Sequence, residues 1–179
     1  MNKDTLKEKF SQRVNINDVK EIIQSTRDND ECIQALYELT FDDDEKNAYQ
    51  AAWVLTHLSS EENTRLFDKQ DELIDEVLSC THTGKRRLFL SLLLRQPQAN
   101  PPRADFFNFC MERMMSVKEP PSVKSLCMKL AYEMCRPFPE LLQELRATLE
   151  LMDADLLIPS MSAVRKNVLK AMKKEKSLK

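Results

Sequence analysis

Glycine is almost absent. Gly84 stands alone in a chain of 179 residues, where ordinary usage would place roughly 13. Phosphate-cradling loops, dinucleotide-binding turns and hairpin-rich β folds all need glycine where the backbone takes unusual geometry, so this composition argues against each of them. Long apolar runs are missing too, and no stretch approaches the roughly 18 residues that would span a bilayer. Paired cysteine spacings are also lacking. Cys32, Cys80, Cys110, Cys127 and Cys135 are odd in number and lie among apolar helical positions, which predicts reduced thiols rather than a disulfide framework. The first ten residues are charged and carry no apolar core of a secretion signal, so a cytoplasmic location is expected.

What is present is helical. The eight prolines are grouped at Pro97, Pro101, Pro102, Pro120, Pro121, Pro137, Pro139 and Pro159. Each falls between helical patterns or at the start of one, where a missing N–H costs nothing. Four apolar blocks recur: Ala51–Leu55, Phe89–Leu93, Cys127–Ala131 and Val168–Met172, at intervals of 38, 38 and 41 residues. A period near 40 is what stacked helix pairs produce, because each pair needs a neighbour to cover its apolar face. Val54, Leu92, Leu130 and Ala171 are then equivalent positions. The expectation is an all-α chain of about nine helices, a right-handed α–α superhelix of antiparallel helix pairs in a single domain over 1–179.

Within that array, residues 1–16 are expected to form an N-terminal cap around Leu6 and Phe10, and 174–179 a frayed basic tail. Asn17 is expected to cap the second helix, Asp28-Asn29-Asp30 to start the third, and Asp42-Asp43-Asp44-Glu45 to cap the helix carrying Trp53. Ser60 is expected to open a long helix that breaks near Asp71. Asp155 falls in the connection before the last helix.

Three residues before each of the last three apolar blocks stands a cation: Arg86, Lys124 and Arg165, with Ala48 at the corresponding place in the first. Val123-Lys124 and Val164-Arg165 form a Val-basic pair, Lys85-Arg86 keeps only the basic position, and Asn47-Ala48 lacks both. From about Asp28 to Lys174 the chain resembles the HEAT and armadillo-like superhelical families, whose second helices commonly open with such a pair. The resemblance implies shape more than activity. It also implies that Arg86, Lys124 and Arg165 form a ladder tying neighbouring repeats together. The alternative for the basic residues is a concave groove, to which Lys85, Arg87, Lys129, Lys166 and Lys170 contribute, shaped to hold an acidic peptide or nucleic-acid phosphates.

Catalytic constellations are weak. His57 and His82 are the only histidines, and no Cys-x-x-Cys or His-Glu-x-x-His spacing supports a zinc site built on Cys80, His82 and Cys110 or Cys127. His57 is expected to be partly buried and hydrogen-bonded, and His82 to lie in a surface loop. Asp71-Glu72 and Asp75-Glu76 are i,i+4 neighbours without the Glu-x-x-His partners of a two-metal bundle. No cofactor and no enzymatic activity are expected.

Charge is divided along the chain. Residues 1–80 hold 9 basic and 19 acidic side chains, and residues 81–179 hold 18 and 10. Such a dipole would steer a charged partner or favour weak self-association. The functional expectation is a noncatalytic scaffold that binds a protein or acidic peptide, with no membrane contact. The alternative is nucleic-acid binding through the basic half, related to HEAT-like DNA-repair glycosylases; the acidic first half and the lack of an aromatic platform weigh against it.

Overall fold

The computed structural model describes residues 1–27, 29–153 and 156–178. Asp28, Asp155 and Lys179, each part of an expectation above, lie outside the described residues, as does Ala154. Among the described residues the chain is all-α, with no strand. Its helices are α1 (Lys3–Ser11), α2 (Ile16–Thr26), α3 (Asp30–Leu39), α4 (Glu45–Leu55), α5 (Ser60–Thr64), α6 (Gln70–Ser79), α7 (Thr83–Arg95), α8 (Ala104–Met115), α9 (Pro121–Cys135), α10 (Pro139–Leu151) and α11 (Pro159–Lys174). These eleven exceed the expected nine, and one of the additional helices arises because the segment after Ser60 is not one long helix. Its backbone tightens at Arg65, which bonds back three residues to Glu62, and passes through a 3₁₀ turn at Phe67–Lys69 before α6 begins. The break therefore comes earlier than Asp71.

The chain divides into two compact units, Met1–Asp71 and Glu72–Lys179. In the first unit, α1 and α2 each pack on α3 and α4, which are joined by a five-residue turn and lie against each other. Leu6, Phe10, Ile22, Leu36, Ala51 and Leu55 are fully buried there. Side-chain caps start α1 to α5. The Asn2, Asn29 and Asp44 side chains accept from N–H groups of the first turn, and Ser59 forms a reciprocal capping box with Glu62. The cap of α2 is Asn15 rather than Asn17. Asn15 Oδ1 accepts from Asn17 and Asp18, while Asp18 accepts from the Asn15 N–H, so the helix opens two residues earlier than expected.

In the second unit α9 is the central element, packed against α7, α8, α10 and α11. Phe89, Phe106, Cys127, Tyr132, Leu145 and Val168 supply its interior. Three of its helices, α9, α10 and α11, begin at Pro121, Pro139 and Pro159 without a side-chain cap. Proline at the first helical position gives up an N–H that has no partner anyway and presets φ.

The repeat register holds in both units. Val54, Leu92 and Leu130 are 0% exposed and Ala171 is 8% exposed, each on the buried side of α4, α7, α9 or α11.

Candidate binding surface

Stepping one residue back from those buried positions turns the helix by about 100°, onto the side that meets solvent. There the register places Trp53 on α4, Ser91 on α7, Lys129 on α9 and Lys170 on α11, each half-buried or exposed. Four-residue steps keep to the same stripe. It runs through Arg87, Ser91 and Arg95 on α7, Ser125, Lys129 and Glu133 on α9, and Lys166, Lys170 and Lys174 on α11. Glu133 is the acid in this otherwise neutral or basic set. In the first unit the matching positions carry Tyr49, Trp53 and His57.

Lys129, Lys166 and Lys170 have no ion-pair or hydrogen-bond partner among the described residues, and their helices α9 and α11 pack against each other. Lys85 differs. Its Nζ lies 3.0 Å from Glu76 Oε1 and 5.5 Å from the Phe89 ring centroid, with the side chain only 13% exposed. It is committed internally to Glu76 and Phe89.

The three equivalent cations at Arg86, Lys124 and Arg165 have different surroundings. Arg86 is buried. Its Nη1 donates to Glu119 Oε1 at 2.6 Å, its Nη2 donates to the Cys80 carbonyl, and its guanidinium lies over the Phe109 ring. Arg113 approaches the same Glu119 oxygen at 3.4 Å and stacks on the same ring at 5.0 Å. Two cations thus converge on a carboxylate whose side chain is 3% exposed, and Glu119 Oε2, Arg86 Nε and Arg113 Nε remain without hydrogen-bond partners. Arg165 instead donates from Nε to the Leu149 carbonyl at 2.6 Å, joining α11 to α10. Lys124 is half-exposed with no ion pair among the described residues.

Glu119 and Arg113 carry no signal in the sequence. Glu119 lies between α8 and α9 in Lys118-Glu119-Pro120-Pro121, which reads as an ordinary connection. An ion pair across 33 residues leaves no periodic trace.

His57 is exposed rather than partly buried, with Nδ1 3.0 Å from the Trp53 carbonyl and its ring edge-on to the indole. His82 is exposed as expected, and it also caps α7, its Nδ1 accepting from the Lys85 N–H. Among the described residues no three His, Cys, Asp or Glu side chains gather as a metal site. Burial pushes the Cys110 thiol well above its ordinary value, with the neighbouring Cys127 adding to the effect, and burial pushes Cys135 up to about 12. Such thiols stay protonated and act as small apolar groups. Asp44 caps α4, while Asp42 pairs with Lys7 at 2.6 Å. Among the described residues no helix is long and apolar enough to cross a membrane.

The sequence profile of the HEAT repeat domain family matches residues 6–172, nearly the whole chain. The chain belongs to this family. No curated protein and no solved structure matches it. Membership in the HEAT repeat family accords with helix pairs whose second helices keep one apolar and one solvent-facing stripe.

Proposed function

We propose that this HEAT-repeat chain is a noncatalytic protein-interaction scaffold. Its binding surface is the solvent-facing stripe of α9 and α11, and its partner is an acidic protein segment. The observation that carries this reading is the set Lys129, Lys166 and Lys170 on two adjacent helices, left without ion partners among the described residues. Several other cations of the same unit are neutralised, Lys85 by Glu76, Arg86 by Glu119, and Arg103 by Asp75 and Asp105, whereas Lys124 shares the unpaired state. Lysines left unpaired on a common stripe present a positive field to carboxylates, and neighbouring helices give an extended peptide several points of attachment.

The test is a fluorescein-labelled peptide of ten glutamates titrated against the wild-type chain and the triple variant Lys129→Glu, Lys166→Glu, Lys170→Glu. Binding that weakens with added salt and falls at least about tenfold in the triple variant, with the helical circular dichroism unchanged, is the expected result. Undiminished binding by the variant would overturn the surface. Tighter binding of a single-stranded oligonucleotide than of the peptide, lost in the same variant, would replace the acidic partner with a nucleic acid.

A further inference from the structure

The stripe on α9 ends beneath the residues that follow α11. Helix α11 closes at Lys174, Glu175 takes a left-handed conformation with φ 52°, and the backbone turns back toward α9. Residues 176–178, within the segment expected to fray, bond back to α9. Tyr132 donates its hydroxyl to the Lys176 carbonyl at 2.7 Å, Leu178 N–H donates to Glu133 Oε1 at 2.6 Å, and Ser177 Oγ donates to the two Glu133 oxygens at 3.0 and 3.1 Å. Arg136 completes the shell of this carboxylate at 3.0 Å, and only 3% of the Glu133 side chain is exposed.

This attachment is mostly polar. Lys176 and Ser177 are exposed, and Leu178, half-buried, is the single apolar side chain that residues 176–178 set against the fold. Segments held by a few hydrogen bonds and little apolar burial open at a small fraction of the global unfolding free energy. Opening also leaves no stranded charge, because Glu133 would then face water.

We infer that Ser177 is a phosphorylation site whose modification unlatches residues 176–178 from α9. The transfer needs a nucleoside triphosphate and a protein kinase. Ser177 Oγ forms a bond to the γ-phosphorus, the bond from that phosphorus to the β-bridging oxygen breaks, and the nucleoside diphosphate leaves. The hydroxyl proton passes to the base of the kinase. Residues 176–178 are non-helical, and Ser177 is exposed, so the hydroxyl can enter a foreign active site. Lys173, Lys174 and Lys176 flank it with positive charge.

The modified residue loses the proton that it donated. In its place stand acceptor oxygens carrying about −1.5 to −2 charge against a nearly buried carboxylate. Arg136 can offset only one of those charges. The same contact that closes the latch therefore forces it open.

The inference does not rest on the lysine surface, since it is read on the full chain without a partner. The experiment compares amide hydrogen exchange at Leu178 by NMR in the unmodified protein, in a semisynthetic protein carrying phosphoserine at 177, and in Ser177→Ala. Phosphoserine should cut protection at Leu178 at least about tenfold, whereas Ser177→Ala, which keeps the Leu178 bond, should cut it by only about two- to threefold. In a Glu133→Gln background the amide can donate to the phosphate, so phosphoserine should no longer reduce protection. If Glu133→Gln opens the segment by itself, the contrast between phosphoserine and Ser177→Ala decides. Unchanged or increased protection with phosphoserine, as would follow from capture by Arg136, would overturn the inference, and so would a loss no larger than that of Ser177→Ala.

Discussion

The two units bury polar groups in opposite ways. In Met1–Asp71 the buried polar residues are neutral apart from Glu62: Gln50, 7% exposed, donates to the Phe10 and Gln12 carbonyls and accepts from Val14 N–H at 2.6 Å. It satisfies the backbone where the chain leaves α1. Ion pairs of that unit stay partly in water, as with Lys3–Glu38, Lys9–Glu21 and Arg65–Asp30. In Glu72–Lys179 the buried polar group is charged, with Arg86 and Arg113 around Glu119 and three atoms of the cluster unbonded. A neutral amide gives up little hydration and regains it in bonds. A buried ion gives up much more and depends on its partner. Away from Glu62 the first unit should therefore tolerate changes of charge, and the second should fail when one partner is removed.

The largest effect is expected from Glu119→Ala. It strands two guanidiniums, one of them buried, and should lower stability by about 3–5 kcal/mol, measured by urea unfolding followed by circular dichroism. A cost under about 1 kcal/mol would show that water already solvates Arg86, and the contrast between the units would collapse. Gln50→Ala sharpens the other side. It leaves Val14 N–H and the Phe10 carbonyl without their side-chain partner, at about 2–3 kcal/mol. Trp53, the sole tryptophan, lies in the same unit and reports its unfolding by fluorescence. A Gln50→Ala cost equal to that of Glu119→Ala would mean that charge is not what separates the two interiors.

What the sequence disclosed follows from the same physics. Apolar periodicity is local, so the second helices, their register and the buried set Val54, Leu92, Leu130 and Ala171 could be read directly. Proline punctuation fixed the starts of α9, α10 and α11 to within a residue. Caps were harder, because several polar residues compete within a turn; Asn15 prevails over Asn17 through its reciprocal bonds with Asp18. Polar contacts between distant residues were invisible. Gln50 reaches back 36 residues to Val14, Arg86 reaches 33 to Glu119, and Glu133 receives Leu178 from 45 away. None of these pairs follows a repeat. For the same reason the cations Arg86, Lys124 and Arg165, alike in sequence, meet a buried carboxylate, solvent and a backbone carbonyl respectively. Position in a repeat sets where a side chain starts, and the connection it meets sets what it does.

The smallest effect tests the comparison through acid. Glu62 is the buried acid of the first unit among the described residues, 7% exposed and bonded to Ser59 N–H and the Thr26 hydroxyl. Burial pushes its carboxyl up, but those bonds, with help from the Arg65 charge, outweigh burial and hold it below the usual glutamate value. A depressed folded value means that the unfolded chain binds the proton more readily. Glu62 therefore adds stability that is complete above the unfolded value of about 4.3 and is lost as pH falls through the folded value. Glu62→Gln keeps the shape and an acceptor for Ser59 while removing the ionised form. It should cost about 1 kcal/mol at pH near 7, shrinking toward zero by about pH 3, when Trp53 fluorescence is followed in urea. A difference that persists undiminished in acid would mean that Glu62 acts through packing alone, and that the first unit owes nothing to a buried charge.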